Sequence, residues 1–451
     1  MVDGRDDEPR DRPHESRREK KRALANEHRL VALGVAVDRK SGVTPRKTQA
    51  RRPHRARRNI IIASIVVVTL LGGVVGGGYL YAQWRFSQIK KITVAGELPQ
   101  LSGKPFNILE IGSDSRAGLT GAVAAQTGAS TGQAAGQRSD VVKIMHVDPA
   151  LGTISVLSIP RDTMTTLLAN QSLYGKFNRI NVNFGGGPSL LAQTITANFG
   201  IPITHTIVVS FGGLINSAVA LGGVYLDFPY PAKDAFSGLK ITHAGCQLVD
   251  GFQALAVARS RHYEWFQNGI WNYDVTSDFG RIDRQNSFMR AMIERAKHLY
   301  NPLTINSFLS KLPQGITLDS NFTLSELIEL AVKFHNLNPA NMAAFTLPTV
   351  SGVNPPLGDV LYVDQPAAQQ MLVNIFGSDL ITPTNPPPNS ALQTPLPPVV
   401  TTTTSVPGTS TTQKATSTTA KSSKSGSATP TTTTTIPTPG QQYFDPVPCT
   451  P

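Results

Sequence analysis

Five short strings gather charged groups where turns, strands and helices meet: Gly112-Ser113-Asp114-Ser115-Arg116, Arg138-Ser139-Asp140, Ile159-Pro160-Arg161-Asp162, Arg259-Ser260-Arg261 and Gly280-Arg281-Ile282-Asp283-Arg284-Gln285. Arg259 and Arg261 are two apart, so in extended backbone both guanidiniums point the same way. Arg281 and Gln285 are four apart and share a helix face. Clustered arginines repel one another unless an anion sits between them, and the planar guanidinium fork suits phosphate oxygens. Asp114 and Asp140 each adjoin a strand. Carboxylates beside phosphate-binding arginines suit a hard divalent cation such as Mg²⁺, shared with the phosphate. The competing expectation is that the arginines pair singly with Asp162, Asp278, Asp283 and Glu264 on a solvated surface.

No nucleophile arrangement stands out. Ser113, Ser115 and Ser139 have no histidine partner in sequence, His146 reads as a packed or surface histidine inside a strand, and HExxH, CxxC, Walker A and GxSxG strings are absent. What remains is direct transfer. A bound pyrophosphate, its charge neutralised by arginines and a metal, is attacked by an acceptor hydroxyl without a covalent enzyme intermediate.

Strand and helix patterns interleave around these strings. Strand signals cover 106–111, 141–147, 153–159, 206–211 and 223–228, with a hairpin turn at 148–152. Helical patterns cover 189–198, 214–221, 251–258, 282–299, 304–312, 324–337 and 365–375. Such alternation favours a layered α/β domain with a mixed sheet over a β-sandwich or a helical bundle.

Ile60 to Ala82 carries no charged side chain, and its 23 residues span about 34 Å as a helix, enough for a bilayer core. Arg51, Arg52, Arg55, Arg57 and Arg58 precede it, so the positive-inside bias places the N-terminus in the cytoplasm and the rest outside. The chain of 451 residues therefore divides into a basic disordered leader (1–58), a transmembrane helix (59–83), a connector (84–104), an extracytoplasmic catalytic domain (105–381) and a disordered tail (382–451). That tail holds 14 prolines and 21 threonines, too few apolar groups to offset ordering. The net charge of +12 does not point to nucleic acid, because 18 basic against 9 acidic residues lie in the first 58. Cys246 and Cys449 both fall outside the membrane, where disulfides persist. They can pair and pin 443–449 to the domain, or stay as free or differently paired thiols.

The chain resembles the LytR–CpsA–Psr family of cell-envelope glycopolymer ligases, of the actinobacterial type. The resemblance runs through "NILEIGSDSR" (107–116), "RSDVVKIMHVD" (138–148), "SVLSIPRDT" (155–163), "GKFNRINVNFGGGP" (175–188), "ALAVARSRH" (254–262) and "SDFGRIDRQ" (277–285). It implies a three-layer α/β/α sandwich whose central mixed sheet and flanking helices enclose an apolar polyprenyl pocket, walled by 207–211, 214–221 and 288–300. It implies transfer of a glycopolymer, arabinogalactan on its linker unit, from a polyprenyl-pyrophosphate carrier to a muramic acid hydroxyl of peptidoglycan. Mg²⁺, with Mn²⁺ as alternative, falls to Asp114 and Asp140, and Asp140 orients or deprotonates the acceptor. Pyrophosphate falls to Arg138, Arg161, Arg259, Arg261 and Arg281 with Gln285 as donor; Asp140, Arg138, Arg161 and Arg261 are the residues the reaction depends on. The alternative is a non-catalytic envelope-polymer binder, scaffold or regulator. Three departures stand out: Glu110 where an aliphatic residue is usual, facing an edge or pairing with an arginine; Val141 in place of threonine; and the long spacing 116–137.

Overall fold

The computed structural model describes residues 54–115, 139–298, 302–311, 313–388 and 442–450, with isolated positions besides. Two units, Met1–Gly76 and Gly77–Pro451, stand apart in their contacts and are described singly. Helix α1 (His54–Phe86) contains the stretch Arg58–Phe86, which is long and apolar enough to cross a membrane, and none of its apolar window is buried in protein. Among the described residues it is the one such helix.

Seven strands form the central sheet of the second unit: β1 (Lys90–Ile92), β2 (Phe106–Ser113), β3 (Ser139–Asp148), β4 (Thr153–Ser158), β5 (His205–Ser210), β6 (Ile316–Asp319) and β7 (Ala343–Thr346). Their order is β1-β6-β5-β2-β3-β4-β7. Pairs β1/β6, β5/β2 and β4/β7 are parallel, and β6/β5, β2/β3 and β3/β4 antiparallel, so the sheet is mixed.

The period-two alternation of β2 and β3 sorts residues between two helix layers. Leu109, Ile111, Val142 and Ile144 face the larger core, which they share with Leu191, Ile195 and Phe199 of α2 (Pro188–Phe199) and Leu372 and Phe376 of the helix Ala367–Phe376. Each such fully buried aliphatic contributes on the order of 2 kcal/mol. Glu110, Gly112, Lys143 and Met145 turn to the other face, with Ile207 and Val209 of β5. They meet α3 (Phe211–Ala220), α4 (Gly251–Arg259) and α5 (Asp278–Lys297). Helix starts are fixed locally: Ser210 Oγ accepts from Gly213 N at 3.1 Å before α3, and Asp250 Oδ1 accepts from Phe252 N and Gln253 N before α4.

A second core lies beyond α4 and α5, where short accessory strands bring Leu226, Phe228 and Trp265 against Val257, Phe288 and Ala291. Strand Val224–Phe228 belongs here, paired with Gly245–Val249 and Val447–Pro448, and not to the central sheet.

Two boundaries move. Within 84–104, expected as a connector, Lys90–Ile92 extends the sheet edge and Phe86 and Ile89 are buried against Leu318 and Phe322. Within 382–451, expected as a disordered tail, Asn385 N donates to Ala197 O and Thr166 Oγ1 to Pro386 O, while 442–450 packs on the second core. Cys246 and Cys449 form a disulfide across 203 residues.

Candidate active site

A register shift between Gly112 and Ser113 sets the site. Gly112 pairs with Val141 and Ser113 with Ser139, so Asp140 is the extra residue of a β-bulge. A bulge bends its strand and re-aims one side chain. Asp140 Oδ1 accepts from Arg161 Nη1 at 2.7 Å, just past β4, and the Asp140 carbonyl accepts from Arg281 Nη2 at 3.0 Å. Asp278, in the first turn of α5, stands 2.8 Å from Arg281 Nη2 and 3.1 Å from Arg261 Nε. Asp162 stands 3.4 Å from both Arg161 Nε and Arg179 Nε.

The guanidiniums thus converge and share carboxylates at the same time. Those carboxylates do not satisfy them fully: the buried Nε–H groups of Arg161 and Arg261 face Asp162 and Asp278 at ion-pair distance without a formed hydrogen bond, and the Arg281 Nε–H has no acceptor among the described residues. Unspent buried donors of this kind call for an anion or ordered water.

α5 reaches this point because Gly280 admits a close approach. A Cβ there would stand 2.2 Å from Asp274 Oδ2 and 2.4 Å from Thr276 Oγ1. One turn on, Arg284 is fully buried between Asp274 (2.9 Å) and Asp445 (2.6 Å), which fixes the helix that carries Arg281 and Gln285.

Beside the arginines, a cavity of about 320 Å³ lies between the sheet and α3, α4 and α5. Its walls are mainly apolar, with Val209, Phe211, Leu214, Phe288 and Met292 among them. Asp140, Val141, Lys143, Arg281 and Gln285 line both this cavity and the small polar cleft that holds Arg161 and Asp278. Burial raises the Glu110 carboxyl, with Lys143 acting against it. Burial also pushes the Lys143 ammonium down to about 8 and the Asp283 carboxyl up to about 7.

The structure brings together Asp140, Arg161, Arg261, Arg281 and Gln285, with Asp114 one residue beyond Ser113 on the neighbouring strand end. Gln285 Nε2 donates to Ala258 O at 2.9 Å. Arg138 and nearly all of 116–137 lie outside the described residues. Arg259 departs from the extended-backbone expectation. Helix α4 runs through it, so Arg259 and Arg261 do not project from one strand; Arg259 stacks 5.0 Å over Phe211 on the cavity side. Glu264 pairs with Lys233 at 3.2 Å and with none of the described arginines. Glu110 lies on an inner strand and pairs with no described arginine; its cross-strand neighbour is Lys143. His146 Nδ1 hydrogen-bonds Asn107 Oδ1 and its ring packs edge-on against Phe376, a structural position. Sequence reasoning passed over Lys143, whose signal is a lone charge within the apolar run 141–147.

No cluster of three His, Cys, Asp or Glu occurs among the described residues, and the sequence offers Asp114 and Asp140, two carboxylates, for a divalent cation. That number fits a cation that keeps waters and shares substrate phosphates, rather than one caged by protein.

Fold and site together define a mixed α/β domain in which a guanidinium cleft and an apolar cavity share one sheet face. The chain belongs to the LytR_cpsA_psr family, whose model matches residues 83–375. It is similar to the probable cell wall biosynthesis protein LcpB of Corynebacterium glutamicum, 28% identical over 299 residues that cover 65% of this chain and 66% of LcpB. It is also similar to the polyisoprenyl-teichoic acid–peptidoglycan teichoic acid transferase TagV of Bacillus subtilis, 26% identical over 61% of this chain and 66% of TagV. The matches thus span about two thirds of these relatives' length. Among solved structures, the LytR-Csp2A-Psr enzyme from Actinomyces oris shares the fold, with a TM-score of 0.50 and 21% identity over 66% of this chain and 97% of that one.

Proposed function

We propose that this protein transfers a glycopolymer from a polyprenyl-pyrophosphate carrier to a hydroxyl of peptidoglycan, releasing polyprenyl phosphate. The observation that carries this reading is the convergence of the Arg161, Arg261 and Arg281 guanidiniums beside an apolar cavity, with the buried Arg281 Nε–H left without an acceptor among the described residues. A diphosphate in the cleft would take up those donors while its prenyl tail entered the cavity. Relatives named as transferases from polyisoprenyl carriers to peptidoglycan support the same chemistry.

In this reading the acceptor oxygen forms a bond to the glycan-side phosphorus as the P–O–P bridge breaks. The bridging oxygen leaves with the lipid phosphate, and the arginines stabilise the charge that grows there. Asp140, with Oδ1 held by Arg161, orients the acceptor hydroxyl and receives its proton. Asp114 and Asp140 would hold Mg²⁺ or Mn²⁺, which supplies charge neutralisation to the diphosphate when bound. Arabinogalactan on its linker unit is the proposed polymer. Arg51, Arg52, Arg55, Arg57 and Arg58, on the N-terminal side of the apolar stretch, support type II topology in a plasma membrane, with the second unit outside, where carrier and wall meet.

Arg161→Ala and Arg261→Ala test the assignment. Each should lower transfer of a pyrophosphoryl-linked glycan to peptidoglycan by about 10²–10³-fold with little change in the thermal midpoint. Transfer at the unmutated rate by both variants would overturn it.

A further inference from the structure

Across the cavity floor the strand register sets Ile207, Glu110, Lys143 and Ser158 in one row, on β5, β2, β3 and β4. Glu110 and Lys143 are therefore nearest cross-strand neighbours on the face that carries the cavity, and both line it. Lys143 is almost completely buried, and it lines the arginine cleft as well. A cation set into an otherwise apolar wall is costly unless a close partner offsets its desolvation. Glu110 is not that partner. Lys143 Nζ donates to Asn286 Oδ1 on α5, and Glu110 makes no hydrogen bond or close ion pair among the described residues. The charges that surround Lys143 are Glu110 from β2 and Asp283, Arg281 and Arg290 from α5. The two positive ones oppose its charge, and burial lowers its affinity for the proton further.

We propose that Lys143 is a further phosphate-binding residue, which reaches the lipid-side phosphate of the donor from the cavity floor, where Glu110 supplies only a longer-range opposite charge. This rests on the reading that a prenyl diphosphate occupies the cleft. Position supports the lipid side. Gly112 lies beside the Asp140 bulge, and Glu110 and Lys143 sit two strand residues deeper, about 7 Å toward the apolar end. The described arginines approach from α5, from the end of α4 and from the segments after β4 and α4; among the described basic residues, Lys143 alone approaches from the sheet at the junction of cleft and cavity. A phosphate there would bring the opposite charge that Glu110 offers only at longer range.

The test is equilibrium binding to the full-length protein in detergent, with farnesyl pyrophosphate, farnesyl phosphate and farnesol as probes. Lys143→Met should weaken both phosphorylated probes by about tenfold or more, since one charge-assisted hydrogen bond is lost, and leave farnesol unchanged. Lys143→Arg should restore most of the loss. Glu110→Gln, which removes the competing carboxylate, should tighten farnesyl phosphate binding several-fold, and it serves where Lys143→Met fails to fold. Wild-type or tighter binding of the phosphorylated probes by Lys143→Met, or no tightening by Glu110→Gln, would sink the assignment. Arg161→Ala is the control. If it weakens farnesyl pyrophosphate while Lys143→Met does not, only the Lys143 role fails; if neither matters, the diphosphate site fails and the Lys143 role with it.

Discussion

Asp283 lies on α5 between Arg281 and Arg284, and burial together with the carboxylates of Asp445 and Asp274 pushes its carboxyl up to about 7. The folded chain therefore holds a proton that the unfolded chain releases near pH 4. The stability linked to that proton is complete below about pH 4 and is lost as pH rises through about 7. Asp283→Asn cannot titrate. Its thermal midpoint should thus rise relative to wild type between pH 5 and pH 8, and a gap that stays constant over that range would contradict the assignment. At this scale sequence reading succeeded where spacing alone determines direction. Arg281 and Gln285 share a helix face whatever else the chain does, and both line the cleft. It failed where direction depends on pairing or on an element's end. The bulge that aims Asp140 exists only in the register of two strands, and Arg259 was read as extended because nothing local shows that α4 continues through it. Lys143 falls within a strand pattern, and nothing in that pattern shows the cavity that it lines.

Among elements, the long patterns were legible because each carries its own periodicity: β2 to β5 and α2 to α5 lie where alternation or helical spacing places them. Strands of two to four residues have no such signal. Val447–Pro448 is the extreme case, a strand defined only by its pairing to Asp227 and Leu226 and by the Cys246–Cys449 bridge beside it. That bridge closes a loop of 203 residues, long enough that cross-linking the unfolded chain stabilises the fold by about 2–5 kcal/mol. The double variant Cys246→Ser/Cys449→Ser should lose that amount in a urea titration. Reductant should shift the wild-type midpoint toward the variant's and leave the variant's own midpoint alone. Coincident curves for the two proteins without reductant would show that the strand docks by packing alone.

Over the whole molecule, the C-terminal segment braces the helix that carries the site. Phe444 stacks on Trp265 with ring centroids 3.9 Å apart, and Tyr263 Oη donates to the Phe444 carbonyl. Asp445 reaches Arg284, which already faces Asp274. Two carboxylates for one guanidinium is one more than charge balance needs, and burial raises the Asp445 carboxyl to about 6. The contribution of Asp445 should then come from its place in the packing more than from its charge. Asp445→Asn keeps the shape and should change stability by less than about 1 kcal/mol at pH 5, near the net value of one hydrogen bond. Ending the chain at residue 388 removes Phe444, the strand and the disulfide together. It uncovers Trp265 and should cost several kcal/mol, as large aromatic deletions from cores do. Because Arg284 lies one turn from Arg281, the truncated protein should also transfer glycan more slowly, although every proposed site residue is retained. Melting curves and transfer rates measured on both proteins separate the two contributions. Equal losses in Asp445→Asn and the truncation would return the effect to the buried charge, and undiminished transfer by the truncated chain would show that α5 holds Arg281 without this brace.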